Sequence, residues 1–158
     1  MKVLKCIILI YLVIITTAYA DDVCDAKNLQ LYMYGNFAFQ IPSCLAQNIE
    51  DDNIVYRYKN GNNKSFIMVT GMNNLSSQDI YNNLSAIAEK LAYLRRETIV
   101  INKHKATIIS FKSLIEENTS YEARTYIFDD LDIRFITHEN NHDHVIFLDI
   151  VKSIRGVK

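Results

Sequence analysis

The chain has 158 residues, 49% of them hydrophobic, with 17 Lys and Arg against 18 Asp and Glu. This length and apolar content suit one domain with a sizeable core. The near-neutral charge argues against nucleic acid as a partner, because nucleic-acid binding needs a concentrated basic face. With four glycines in the chain, we also expect no Gly-rich phosphate-binding loop.

Residues 1–20 have the three parts of a secretory signal peptide. Two lysines lie in the first five residues, an uncharged and mostly aliphatic run follows at 6–15, and Ala18-Tyr19-Ala20 offers the small residues that a signal peptidase recognises. A retained membrane anchor is the alternative, but the apolar run is shorter than the roughly 20 residues of a spanning helix. We therefore predict cleavage after Ala20, which leaves a single domain at 21–158 in the periplasm or outside the cell.

The predicted mature domain keeps two cysteines, Cys24 and Cys44. A lipid-anchored cysteine needs small and aliphatic residues directly before it, whereas Asp21-Asp22-Val23 precedes Cys24, so we expect no lipid anchor. An even pair of cysteines in an exported chain usually forms a bridge. We predict a Cys24–Cys44 disulfide that closes a loop of about twenty residues and contributes roughly 3 kcal/mol in the chain-entropy model. The alternative is two unpaired thiols.

The first half of the domain has the pattern of strands followed by a helix. Strand-like runs cover residues 29–34, 37–41, 53–58 and 65–70. Gly35-Asn36 is a two-residue hairpin turn, and Pro42 is expected to stop the second strand. The stretch from Ser76 to Asp79 is a capping box, and the apolar residues that follow it at helical spacing predict a helix over 77–94.

The second half is predicted to be a meander with a closing helix. Further strands are expected over 98–101, 106–115, 121–128 and 133–137. From Asp143 to Ile154 the apolar residues have helical spacing, and Asn141 can cap that helix, although His144–Leu148 also fits a strand. The order of strands, helix, meander and helix predicts an α+β fold, an antiparallel β-sheet with helices packed on it.

The segment Phe37–Leu45, FAFQIPSCL, resembles the opening strand of PsbP-like and DcrB-like domains, an alternating aromatic and aliphatic strand followed by a proline and a large apolar residue. The order of hairpin, Ser-capped helix, meander and closing helix also resembles that family. Two features depart from it: Leu45 stands where the family often has Trp, and Cys24 lacks the context of a lipid-anchored member. The resemblance implies a PsbP-like α/β/α sandwich and a non-catalytic binding or assembly factor, and it transfers no functional residue.

The segment 138–144 is the strongest candidate for a metal site. Neutral imidazole is a common ligand for zinc, copper or nickel. The alternative is a polar loop between a strand and a helix, because Asn140-Asn141 has the character of a turn and the helix dipole favours an acid in the first helical turn. The candidate ligands are His138, His142 and His144, with Glu139 and Asp143 beside them.

Tyr56, Arg57 and Tyr58 form the candidate contact surface, because aromatic side chains with a polar tip favour interfaces. The alternative is an aromatic sheet face that is covered by helices. The chain has no Gly-x-Ser-x-Gly turn and no evident acid–base pair of carboxylates, and oxidation of the cysteines would remove their thiolates. The sequence therefore indicates a protein that is not an enzyme and needs no cofactor.

These features predict an exported, non-catalytic binding protein that contacts a protein partner. Its most specific form is an immunity protein against a toxin directed at the bacterial envelope. The alternative is an envelope metal or small-ligand binding protein that uses the 138–144 histidine cluster. A hydrolase is a third class, but it needs a cleft of convergent polar groups that the sequence does not reveal. The abundance of Asn, Ile, Tyr and Lys is typical of a low-GC bacterium.

Overall fold

The computed structural model describes residue 24 and residues 28–51, 53–61 and 64–157. The predicted signal peptide and its cleavage point lie outside these residues. Across the part of the chain that the structure describes, no helix is both long enough and apolar enough to cross a membrane.

Two antiparallel sheets and two α-helices make up the described residues. The strands are β1 (Leu29–Tyr34), β2 (Phe37–Pro42), β3 (Leu45–Glu50), β4 (Asn53–Tyr58), β5 (Phe66–Gly71), β6 (Leu91–Ile101), β7 (His104–Ser113), β8 (Glu122–Phe128), β9 (Ile133–Glu139) and β10 (Arg155–Gly156). The helices are α1 (Ser77–Ser85) and α2 (Asn141–Lys152), with short 3₁₀ turns at Ala88–Lys90 and Leu114–Glu116. The large sheet has the order β3-β4-β5-β9-β8-β7-β6, and the small sheet has the order β1-β2-β10.

One face of the large sheet carries the main hydrophobic core, which α2 and the small sheet close. Phe39 of β2 is fully buried and meets the rings of Tyr56 and Phe135 edge-on, at centroid distances of 6.1 and 5.5 Å. Phe147 and Val151 of α2 enter the same core and are also fully buried. Burial of each such side chain contributes about 1.5–3 kcal/mol, so this core holds α2 and the small sheet on the large one.

The opposite face of the large sheet is partly covered by α1. Ile80 and Leu84 of α1 pack against a second buried cluster that contains Ile109 of β7 and Ile127 of β8. The chain thus has three layers: α1, the large sheet, and α2 together with the small sheet. This arrangement confirms the predicted α+β fold with helices packed on an antiparallel sheet.

The helix predicted over 77–94 is wrong at its end, because α1 stops at Ser85. Its start is as predicted: the Ser76 side chain accepts a hydrogen bond from the backbone N–H of Asp79, and the Asp79 carboxylate accepts one from the Ser76 backbone. The helical spacing of apolar residues continues to Ile87, but Ile87 is 40% exposed. A longer helix would therefore bury little additional apolar surface. The chain instead turns into β6, where pairing with β7 satisfies its backbone groups.

Other boundaries also differ from the sequence prediction. The strand expected over 98–101 is the end of the longer β6, and β3 and β10 were not predicted. β3 is an edge strand with four exposed residues at its end, so it lacks an apolar alternation. Pro42 belongs to β2 and pairs with Leu29. The closing helix is confirmed, but its cap is Asn140 rather than Asn141. The side chain of Asn140 accepts two backbone hydrogen bonds of 2.9 Å.

A disulfide joins Cys24 and Cys44, whose Cα atoms lie 5.3 Å apart, a normal separation for such a bridge. Cys44 lies in the turn between β2 and β3. The bridge therefore ties the segment before β1 to the point where the chain passes from the small sheet to the large one. The pairing is the one that the sequence predicts.

Candidate binding groove

The small sheet and α2 leave part of the main face of the large sheet open. A groove of about 730 Å³ lies there, between α2 and the strands β6, β7 and β8. Ligand pockets in proteins usually measure about 300–1,000 Å³. The groove is therefore large enough for a small molecule or for a few residues of a partner protein.

The strand register builds the floor of the groove. Arg95 of β6 lies opposite Ser110 of β7, and Ser110 lies opposite Arg124 of β8, so these side chains form a row on one face. The same pairing forms the next row from Glu97, Ile108 and Tyr126.

One wall of the groove belongs to α2. His144, Leu148 and Lys152 line it, and their spacing of four residues places them on one side of the helix. The wall therefore presents an imidazole, an aliphatic side chain and an ammonium group in a line beside the sheet.

A network of charged side chains fixes the floor next to α2. The guanidinium of Arg124 donates to Glu122 and to Glu139, and the hydroxyl of Tyr93 donates to Glu122. Glu139 is fully buried, and its Oε1 lies 2.8 Å from Nδ1 of His144. Because Arg124 is only 15% exposed and is held on both sides, the floor is rigid before any ligand arrives.

The two tyrosines of the groove are neutral hydroxyl groups at ordinary pH. Burial and the hydrogen bond to Glu122 raise the pKa of Tyr93 to about 12. Burial, with the nearby charge of Glu139, also raises the pKa of Tyr126. Ser110 lines the groove, and a serine hydroxyl can act as a nucleophile when a base activates it. Within the described residues, however, no hydrogen bond joins Ser110 to an imidazole or a carboxylate.

Two cations of the groove are available to a ligand. The guanidinium of Arg95 lies 5.1 Å above the ring of Tyr93, and within the described residues neither Arg95 nor Lys152 has an ion-pair partner. Three basic side chains, Arg95, Arg124 and Lys152, and two acidic ones line the groove, because Arg96 points to the other face and donates to Gln78, whereas the whole chain has a net charge of −1. The groove therefore suits an anionic ligand better than the chain's overall charge indicates. Among the described residues, Glu97 is the one exposed acid of the groove without an ion pair.

The three histidines of the predicted metal site do not converge. His138 lies on the opposite face of β9 from Glu139, where its ring stacks on Tyr121 at 5.1 Å and on Phe66 at 5.8 Å. The ring of His144 instead faces Glu139, and His142 is exposed in the first turn of α2. Within the described ranges, no group of three or more His, Cys, Asp or Glu side chains could hold a metal ion.

The predicted contact surface at Tyr56, Arg57 and Tyr58 is wrong for both tyrosines. Tyr56 has no exposed surface and Tyr58 is 9% exposed, because their side of β4 faces the core under the small sheet and α2. The hydroxyl of Tyr58 donates to Asp143 at 2.7 Å. Arg57 faces the other way, where it pairs with Glu50 at 3.1 Å.

The sequence contains a weak signal for the groove. Tyr93, Arg95, Glu97 and Ile99 alternate along β6 and share one face. The predicted helix ends at residue 94, and Arg95 and Arg96 directly after it look like an ordinary basic surface. The two-residue spacing of long side chains would have indicated a strand face, but nothing in the sequence places that face beside α2.

No protein-family model and no curated protein matches this sequence. Among solved structures, the chain is similar to the solution structure of cyanobacterial PsbP, CyanoP, from Synechocystis sp. PCC 6803. The TM-score is 0.58 at 11% sequence identity, over 82% of this chain and 92% of that one. The protein therefore has a PsbP-like fold, in agreement with the resemblance in the sequence.

Proposed function

We propose that this protein is an exported, non-catalytic binding protein, and that its groove holds an acidic segment of a partner protein. The observation that carries the proposal is the pair of unpaired cations, Arg95 and Lys152, on opposite sides of a floor that internal ion pairs keep rigid. A preorganised floor loses little conformational entropy when a ligand binds, and the positive groups beside it attract a negatively charged segment.

The apolar surface between these cations supports a peptide as the ligand. Ile99, Ile108 and Leu148 line the groove together with the charged groups. An apolar side chain flanked by Asp or Glu would place its carboxylates near Arg95 and Lys152. Bidentate pairing of Arg95 with a carboxylate would add geometric specificity to the contact.

The chemistry of the groove favours binding over catalysis. A serine nucleophile needs a base within hydrogen-bond reach, and within the described residues no hydrogen bond joins Ser110 of the groove to an imidazole or a carboxylate. The PsbP-like fold agrees with a binding role through the resemblance noted in the sequence. A disulfide supports export to an oxidising compartment, because such bridges persist there.

The most specific form of the proposal is an immunity protein that neutralises a toxin delivered into the cell envelope. A small single domain with a disulfide suits that role. In this form, the partner bound in the groove is the toxin itself. Cells that produce the protein should then survive the toxin, and Arg95→Glu should abolish that protection while the protein still accumulates.

Site-specific photo-crosslinking in the producing cells tests the groove. A photoreactive amino acid at position 95 points into the groove, whereas one at position 100 lies on the other face of the same strand, where Val100 is 73% exposed. We expect a partner adduct from position 95, its loss in combination with Lys152→Glu, and none from position 100. Equal adducts from both positions, or an adduct from position 100 alone, would contradict the proposal.

A small anionic ligand is the second candidate, because the groove volume also suits one. Native mass spectrometry of the exported protein distinguishes the two. A bound small molecule that Arg95→Glu removes would support a carrier, whereas a mass equal to the chain alone together with an adduct from position 95 would support a protein partner.

A further inference from the structure

The first strand, β1, is an edge strand without the features that normally protect such edges. Among the described residues it pairs with β2 alone, so its other side offers free backbone groups. Its sequence, LQLYMY, contains no charge, proline or glycine. Natural edge strands usually carry a charge, a proline or a bulge that prevents pairing with another chain.

We propose that β1 pairs with β1 of a second copy of this chain, antiparallel about a two-fold axis at Leu31, and so forms a weak dimer. This surface is on the small sheet, away from the groove, and the proposal does not rest on the proposed function.

The side chains of β1 divide by face. Tyr32 and Tyr34 pack against the main core, whereas Leu29, Leu31 and Met33 are 46%, 53% and 54% exposed. A cleft of about 200 Å³ between Leu29 and α2 extends this apolar surface. Three large apolar side chains in a line on an edge strand are an unusual solvent-facing surface for a monomer.

The hydrogen-bond pattern places the free backbone groups on the same three residues. In a hairpin with a two-residue turn, the flanking residues Tyr34 and Phe37 form a hydrogen-bonded pair, and bonded and non-bonded pairs then alternate. Leu31 therefore falls in a non-bonded pair with Gln40. The backbone N–H of Gln40 donates to Ser153 at 2.7 Å instead, as this pattern requires. Leu31 thus turns its own N–H and C=O to the free edge.

The same pattern makes the strand complementary to itself. With Leu31 opposite the Leu31 of the second copy, Leu29 of each copy lies opposite Met33 of the other, and all three pairs are hydrogen-bonded. The exposed apolar side chains then form one continuous row across both copies. No like charges meet, because β1 has none.

The size of the contact sets its strength. Stable interfaces bury roughly 1,200–2,000 Å² in total, and three half-exposed side chains with one short strand per copy bury less. The dimer is therefore dependent on concentration, and it dissociates on dilution.

Sedimentation velocity of the exported protein over a range of concentrations tests the association. We expect the weight-average sedimentation coefficient to rise toward the dimer value in the unmodified protein. Leu31→Lys should weaken association at least tenfold, because it places two like charges opposite each other. Val100→Lys, which adds the same charge to the exposed edge strand β6, should leave association unchanged.

A cysteine cross-link tests the register independently of the loss of association. Opposite residues in a hydrogen-bonded antiparallel pair have Cα atoms about 5.5 Å apart, within the range of a disulfide. Leu31→Cys should therefore form a covalent dimer on oxidation, and Ile49→Cys, at an exposed position of β3, should not. A protein that stays monomeric at all concentrations, or equal cross-linking at positions 31 and 49, would overturn the proposal.

Discussion

Replacement of Glu139 by Gln tests the network that holds the floor of the groove. Glu139 is fully buried, and its carboxylate receives the guanidinium of Arg124 and faces Nδ1 of His144 at 2.8 Å. Loss of one partner from a buried ion pair costs about 3–5 kcal/mol when the other charge is left alone. Arg124 keeps Glu122, so we expect a smaller loss, about 2–3 kcal/mol, near the value of hydrogen bonds to charged groups.

Thermal and urea unfolding followed by circular dichroism at neutral pH measure this loss. For a domain of this size, it corresponds to a fall in Tm of roughly 6–15 °C. The matched control is Glu50→Gln, because Glu50 pairs with Arg57 at the surface, where the two side chains are 46% and 42% exposed. Exposed pairs contribute little, so the control should leave Tm almost unchanged. Equal shifts for the two variants would refute the claim that the buried network stabilises the floor.

Three further outcomes follow from the fold. Reduction of the Cys24–Cys44 bridge should cost about 3 kcal/mol of unfolding free energy by the chain-entropy model, measured by urea unfolding with and without reductant; an unchanged midpoint would contradict it. Ser76→Ala removes the cap of α1 and should cost about 1 kcal/mol, again from urea unfolding. Burial raises the pKa of Tyr56 and Tyr126, so the unfolded chain loses these protons first. Tm should therefore be insensitive to tyrosine ionisation below about pH 10 and should fall above it, and tyrosinate absorbance from these residues before unfolding would contradict this expectation.

The strands of the core could be predicted because their patterns report burial. β2, β4 and β5 each alternate or concentrate apolar residues that end up in the main core. The closing helix was predicted for the same reason, since Phe147 and Val151 lie on its buried side. Where the spacing of apolar residues matches the side of the element that is buried, the local structure can be predicted without knowledge of tertiary contacts.

At the edges of the large sheet, β3 and most of β6 could not be predicted from the same signal. β6 contains the run Arg95-Arg96-Glu97, which is exposed on both faces, so its strand character depends on pairing with β7 rather than on its own pattern. The stripe of Ile80, Leu84 and Ile87 extends a helical period toward it. Local spacing therefore favours a longer helix, and only the sheet partner ends it.

The candidate site was the least accessible to the sequence because it joins distant elements. The sequence predicts His144 as a metal ligand, but in the structure its ring nitrogen faces the buried Glu139. Tyr56 and Tyr58 were assigned to a surface because their polar tips suit an interface. The small sheet and α2 that bury them come from opposite ends of the chain, and no local pattern reports that contact.

The most direct test of the central claim is hydrogen–deuterium exchange of the purified protein, alone and with the partner identified by cross-linking at position 95. We expect the partner to slow exchange in β6 and in the last turn of α2 around Lys152, which border the groove, while β3 at the far edge of the sheet remains unchanged. Slower exchange in β3 or β1 with β6 unaffected would contradict the assignment of the groove as the binding site.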